Sequence, residues 1–208
     1  MNKIRQMWRV ATHPRELRMA ISGLGVRIGG DTALGGLTDE ETSGIAEWVK
    51  RASGGAGLAE GKKPVFVEIG TLFGFTAKAV AQRTGVRVVA VDNFCWNPFG
   101  LTSEEHERFT RKVIEGCAVE LVRDDAKRFL AAIGEPGGTV DAESALVFLD
   151  GDHRYEAVKE ELEILKAKGV RHVAGHDFGN PNFGVTRAVR EVVGEPDEVV
   201  GMCWTKTL

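Results

Sequence analysis

Cysteine is scarce in this 208-residue chain: Cys95, Cys117 and Cys203 are odd in number and widely separated. That pattern offers neither a disulfide framework nor the paired spacing of a zinc finger. Long apolar runs are missing too, and no uncharged stretch approaches the ~18 residues of a membrane-spanning helix. Near the N-terminus, Lys3, Arg5 and Arg9 supply a basic start, but His13, Arg15 and Arg18 interrupt the apolar segment that a signal peptide needs. A cytoplasmic location is therefore expected. Nor is there a large excess of one charge. The 27 Lys and Arg against 30 Asp and Glu leave a formal net charge of −3, no footprint for nucleic acid or an anionic membrane. A hydrophobic share of 43% and a charged share of 27% are ordinary for a globular protein. The length suits one domain with additions.

The most informative stretch is 145–178. An apolar run from Ala145 to Leu149 ends on Asp150, with Asp152 and His153 close behind. A helical pattern follows, in which Tyr155, Val158, Leu162 and Leu165 form a core-facing stripe and Glu156, Lys159, Glu160 and Glu163 a solvated face. A second apolar run, Val170 to Ala174, leads into His176 and Asp177. Strand, helix and strand joined by a right-handed crossover bring both carboxyl ends to one edge of a parallel sheet. Ligands of open α/β sheets bind at that edge.

Residues 1–22 read as partly helical, and the Gly-rich run from Gly23 to Gly36 as a connector. Thr38-Asp39-Glu40-Glu41 is a capping box that opens a helix with Ile45, Trp48 and Val49 on its apolar face. Residues 53–63 read as a linker. Val65 to Ile69 form a buried-type strand ended by Gly70. A tight loop, Thr71 to Gly74, leads to a helix that stops at Gly85. This arrangement aims backbone N–H groups at a ligand. The next strand ends on Asp92, and 92 − 70 = 22 residues matches the ~20 expected for an acid that holds ribose hydroxyls. A dinucleotide fingerprint from Gly70 needs glycines at 72 and 75, where Leu72 and Phe75 stand. Glu68, just before the strand end, repels phosphate and attracts an amino group. The loop suits a nucleoside with a cationic amino-acid tail.

These residues resemble a known family. Glu68-Ile69-Gly70-Thr71-Leu72-Phe73-Gly74 is similar to the first motif of class I S-adenosylmethionine-dependent methyltransferases, and Val88 to Phe94 to the strand that ends on their ribose-binding acid. Phe148 to Tyr155, Gly175 to Phe178 and Gly184 to Val189 resemble a branch of metal-dependent natural-product and sugar O-methyltransferases and cephalosporin-pathway relatives. The resemblance covers about residues 38–208. It implies an α/β Rossmann-like methyltransferase fold: a mostly parallel seven-stranded sheet with an antiparallel C-terminal strand and helices on both faces. Residues 1–60 would be an N-terminal helical extension, a lid or a homodimer contact, and residues 61–208 the S-adenosylmethionine-binding domain.

The resemblance also implies roles. Glu68, Gly70, Thr71, Gly74, Asp92, Asp124 and Asp150 fall at cofactor-binding positions; Asp124 matches the residue near adenine, with Asp125 its rival. Asp150, His176 and Asp177 fall at positions of ligands for a divalent metal, magnesium by expectation. His153 matches a catalytic base. His176 departs from the oxygen ligand of catechol-type relatives and widens the metal choice. The expected reaction is methyl transfer to a hydroxyl of a small molecule, where a cation lowers the hydroxyl pKa and a histidine accepts the proton.

Plainer readings stand beside these. Asp150, Asp152 and Asp177 are residue types that cap helices, and Asp152 is assigned to the helix near Arg154. Glu68 could pair with Lys62 or Lys63, His153 could be a solvated loop residue, and a structural hydrogen bond is an equal reading of His176. Phe94, Trp96 and Phe99 either wall a pocket or pack under their loop. Asp150 with His153 and His176 also has the composition of a non-haem iron oxygenase site, and a non-catalytic cofactor-binding protein would keep the same fold.

Overall fold

The computed structural model describes residues 37–54 and 62–208. The helical reading of 1–22, the connector 23–36 and residues 55–61 of the linker lie outside the described residues. In chain order the elements are α1 (Asp39–Gly54), β1 (Val65–Ile69), α2 (Phe75–Thr84), β2 (Arg87–Asp92), α3 (Ser103–Ile114), β3 (Val119–Arg123), α4 (Ala126–Ala132), β4 (Ala145–Leu149), α5 (Tyr155–Ala167), β5 (His172–Gly175), α6 (Val185–Val192), β6 (Glu198–Val200) and β7 (Cys203–Thr207). The seven strands form one sheet in the order β3-β2-β1-β4-β5-β7-β6. The first five strands are parallel, and β7 runs antiparallel to both β5 and β6. The expected C-terminal hairpin is present, and the fold is the Rossmann-like methyltransferase architecture.

Every residue of β1 and β4 is buried, because helices cover both faces, as a parallel sheet requires. The alternation of strand side chains sorts the core into two layers. Val65, Val67 and Ile69 of β1 pack with Leu130 of α4, Leu162 of α5 and Val189 of α6. Phe66 of β1 and Phe148 of β4 pack on the other face with Ile45, Trp48 and Val49 of α1 and with Val80 of α2. Helix α1, expected within an N-terminal extension, is thus part of the sheet's own core. Burying Trp48 at 5% exposure fixes the helix; truncating such a side chain costs about 3–5 kcal/mol. Its capping box forms as expected: Glu41 N donates to Thr38 Oγ1, and Thr38 N donates to Glu41 Oε2.

Register then positions the site. Glu68 pairs with Phe148, and Phe148 with Ala174. Two residues further on, the same parity brings Gly70, Asp150 and His176 to the face that α1 covers. Asp150 N donates to the Ile69 carbonyl at 2.9 Å and His176 N to the Leu149 carbonyl at 3.1 Å, so the pairing continues past the strand ends. The chain order reverses between β1 and β4, the place where such sheets bind ligands.

Candidate active site

Glu68 lies at 1% exposure near the end of β1. Thr71 Oγ1 donates to its Oε2, so these two expected cofactor residues bind each other. Burial is the largest cause that pushes the Glu68 carboxyl up to about 8, with nearby Asp92 adding to it. Lys62 pairs with Asp141 at 2.7 Å, which removes it as a partner for Glu68.

Asp92 accepts from Leu72 N at 2.9 Å and from Phe94 N at 2.6 Å. The acid at the end of β2 thereby clamps the glycine loop. Burial raises its pKa against those two hydrogen bonds. The Leu72 carbonyl accepts from Thr110 Oγ1 at 2.7 Å and lies 2.8 Å from His106 Nε2. His106 and Thr110, both fully buried, anchor a loop that holds Leu72 at φ 48°. The sequence reading missed them, because a histidine inside a polar helix pattern carries no distinguishing spacing.

The glycines fit tightly, against their own chain. A Cβ at Gly70, φ 84°, would lie 2.4 Å from Gly151 Cα; one at Gly74, φ 78°, would lie 2.7 Å from Ile114 Cγ2. Asp124 and Asp125 differ in environment. Asp125 caps α4 through Lys127 N and Arg128 N, whereas Asp124 pairs with Arg128. Phe94 and Phe99 pack, Phe94 on His106 and Phe99 on Phe73, and Trp96 is 71% exposed.

Asp150, His153, His176 and Asp177 come together. His153 Nδ1 is 3.2 Å from Asp177 Oδ2, and His176 Nδ1 is 3.6 Å from both Asp150 Oδ1 and Asp177 Oδ2. One ligand-type atom from each of Asp150, His153 and Asp177 lies within 4.8 Å of the other two. Burial, then Glu68, Asp177 and Glu41, hold the Asp150 carboxyl well above the usual range. Burial lowers the His153 imidazole against the pull of Asp177. Asp177 itself sits at φ 60°, a left-handed conformation that Asp tolerates better than most residues, and its Oδ1 accepts from Asn180 Nδ2 at 2.8 Å.

Asp152 does not cap α5. Its Oδ1 accepts from Arg154 N at 3.0 Å, two residues too early, and Arg154 holds the N-cap position with no side-chain cap. Asp152 is instead held by the Arg154 side chain, and the start of α6 abuts the start of α5, where a Cβ at Gly184 would lie 2.3 Å from Tyr155 N. Asp150 and Asp177 cap nothing and face the histidines instead.

Glu41 is a second residue that the sequence reading missed. It is 4% exposed, with Oε1 3.3 Å from His176 Nε2. Burial acts to raise its pKa, and hydrogen bonds from Met202 and Thr38 outweigh this and hold it below the usual range. Beyond His153, whose ring lies 4.7 Å from that of Phe183, a groove of about 770 Å³ opens between the 178–183 loop and α6, lined by Phe178, Asn180, Phe183, Arg187 and Arg190.

The sheet order and a site at its switch point define a class I, S-adenosylmethionine-dependent methyltransferase. A sequence profile described as "Methyltransferase domain" matches residues 67–176, more than half of the chain, and the chain belongs to that family. No curated protein matches it. Among solved structures it is similar to the O-methyltransferase TomG from Streptomyces achromogenes, in complex with S-adenosylmethionine: 14% identity, 83% of this chain, 74% of that one, TM-score 0.53. A putative rRNA-methylase from Clostridium thermocellum shows 13% identity, 83% and 100% coverage, and TM-score 0.51. A methyltransferase from Agrobacterium tumefaciens shows 13% identity, 72% and 50% coverage, and TM-score 0.44, so the chain spans half of that structure's length.

Proposed function

We propose that this methyltransferase transfers its methyl group to a hydroxyl of a small molecule with the help of a divalent cation. The observation that carries the reading is the placement of His153 Nδ1 3.2 Å from Asp177 Oδ2, beside Asp150. A proton on Nδ1 facing Asp177 leaves Nε2 free to accept the hydroxyl proton, and its lowered pKa keeps the ring neutral for that task. S-adenosylmethionine supplies the electrophilic methyl group. Glu68 suits its amino group, Asp92 its ribose and Asp124 the adenine end. The acid-rich surroundings suit cationic groups, because burial holds the Glu68 and Asp150 carboxyls above their usual range and a cation beside them would restore their charge.

Asp150 and Asp177 supply hard oxygens for the divalent cation, and His176 Nδ1 lies beside both. With an ion held there, these residues would give the site Lewis acidity toward an acceptor hydroxyl. The groove next to Phe183 is of small-molecule size and gives the acceptor a place within reach of His153. A net charge of −3 favours a small acceptor over a nucleic acid. The oxygenase reading gives way to family membership.

The test is methyl transfer from labelled S-adenosylmethionine to a panel of phenols and sugars, with and without chelator. Turnover lost on chelation, restored by divalent ion and reduced about 10²–10⁴-fold in His153→Ala is expected. Full turnover in chelator, or an unchanged His153→Ala, contradicts the proposal.

A further inference from the structure

Helix α1 lies before the matched family region, yet it sends one carboxylate into the site. Glu41 is held by four groups: Thr38 N and Thr38 Oγ1 at 2.9 Å on Oε2, Met202 N at 2.9 Å on Oε1, and His176 Nε2 at 3.3 Å from the same Oε1. Gly201, φ 60°, leaves it room, since a Cβ there would lie 2.6 Å from Glu41 Oε1. These contacts fix the carboxylate, which is placed to accept from His176 when the ring proton sits on Nε2. The opposite nitrogen, Nδ1, faces Asp150 Oδ1 and Asp177 Oδ2 at 3.6 Å each. These two separations of 3.6 Å are too long for hydrogen bonds and fit a cation shared between the imidazole and each carboxyl group.

We propose that Glu41 is a positioning residue that fixes His176 as an Nδ1 ligand, and that the resulting two-carboxylate, one-imidazole set selects a nitrogen-accepting transition ion over magnesium. The inference rests on the cation reading above. Carboxylate–histidine–metal chains work in this way: the outer carboxylate sets the tautomer and strengthens the ligand, and its loss typically costs 10–100-fold in metal affinity. Imidazole suits Mn²⁺, Co²⁺ or Zn²⁺, whereas Mg²⁺ prefers oxygen alone. A capping-box glutamate normally serves its own helix. Here the same side chain also reaches a residue 135 positions away.

The test is Co²⁺ binding to the full chain, followed by calorimetry and by the visible absorption of the bound ion. Wild type is expected to bind Co²⁺ at least about 100-fold more tightly than Mg²⁺. Glu41→Gln is expected to weaken Co²⁺ by about 10–100-fold and to shift its spectrum. Ala52→Gly loosens the same helix near its other end, leaves every Glu41 contact in place, and is expected to stay within about twofold. In a His176→Ala background Glu41→Gln is expected to have no further effect. Equal losses in Ala52→Gly and Glu41→Gln, or an undiminished loss in the His176→Ala background, overturn the positioning role. Mg²⁺ bound as tightly as Co²⁺ overturns the selectivity. No divalent binding by wild type overturns the cation reading itself, a different result from either.

Discussion

A buried carboxylic acid is informative when something specific surrounds it. Glu161 of α5 is 2% exposed, and burial, with Asp152 adding to it, pushes its pKa from 4.5 to about 8. The folded chain keeps that proton up to about pH 8, while the unfolded chain loses it near 4.5. Between these values the native state binds more protons, so stability falls as pH rises, by up to about 1.4 kcal/mol per unit. Glu161→Gln is expected to raise the urea midpoint at pH 8.5 and to leave it almost unchanged at pH 4.5, which denaturation at the two pH values checks. Glu68 has a similar shift but a different setting, at the carboxyl edge where the cofactor amino group would sit. There the prediction concerns binding: affinity for S-adenosylhomocysteine, measured by calorimetry, is expected to rise from pH 6 to pH 8 as Glu68 ionises. Glu68→Gln is expected to flatten that rise.

At the scale of elements, α1 joins stability to the site. Trp48 packs with Val49 and Phe66 under the sheet, and Glu41 reaches His176 from the same helix. Trp48→Ala is expected to cost about 3–5 kcal/mol, and Thr38→Ala about 1 kcal/mol through the lost cap; chemical denaturation of each variant checks both. Much of this was legible in the sequence. The spacing of Ile45, Trp48 and Val49 marked the buried face, the capping box marked the helix start, and apolar runs ending in Asp92, Asp150 and His176-Asp177 marked the strands and their functional ends. Glu41 was not legible, because its second partner is set by the β5–β7 edge and not by any local pattern. The expected cap at Asp152 does not form: α5 begins at Tyr155, and Asp152 binds the Arg154 backbone and side chain instead.

For the whole molecule, the sheet order places four strand ends side by side, and the chemistry follows from which residues stand there. Glu68, Asp92, Asp150 and Asp177 give a carboxyl-rich basin whose burial disfavours charge, and His153 and His176 supply nitrogen at its rim. A cation that neutralises this basin is expected to raise the thermal midpoint, by mass action on the folded state, in a concentration-dependent way that a melting series would show. The residues of the glycine loop were recognisable, but the reason for its glycines was not. The close approaches at Gly70 and Gly74 are to Gly151 and Ile114, from segments 81 and 40 residues further along the chain. Sequence spacing alone could not separate that packing from contact with a ligand.

The most direct measurement is anomalous diffraction from a crystal grown with Mn²⁺ and S-adenosylhomocysteine, with data collected at the manganese edge. The account predicts one strong peak within ligand distance of Asp150, Asp177 and His176 Nδ1, with the nucleoside beside Asp92. Nucleoside density at Asp92 with no manganese peak among those three side chains would contradict it.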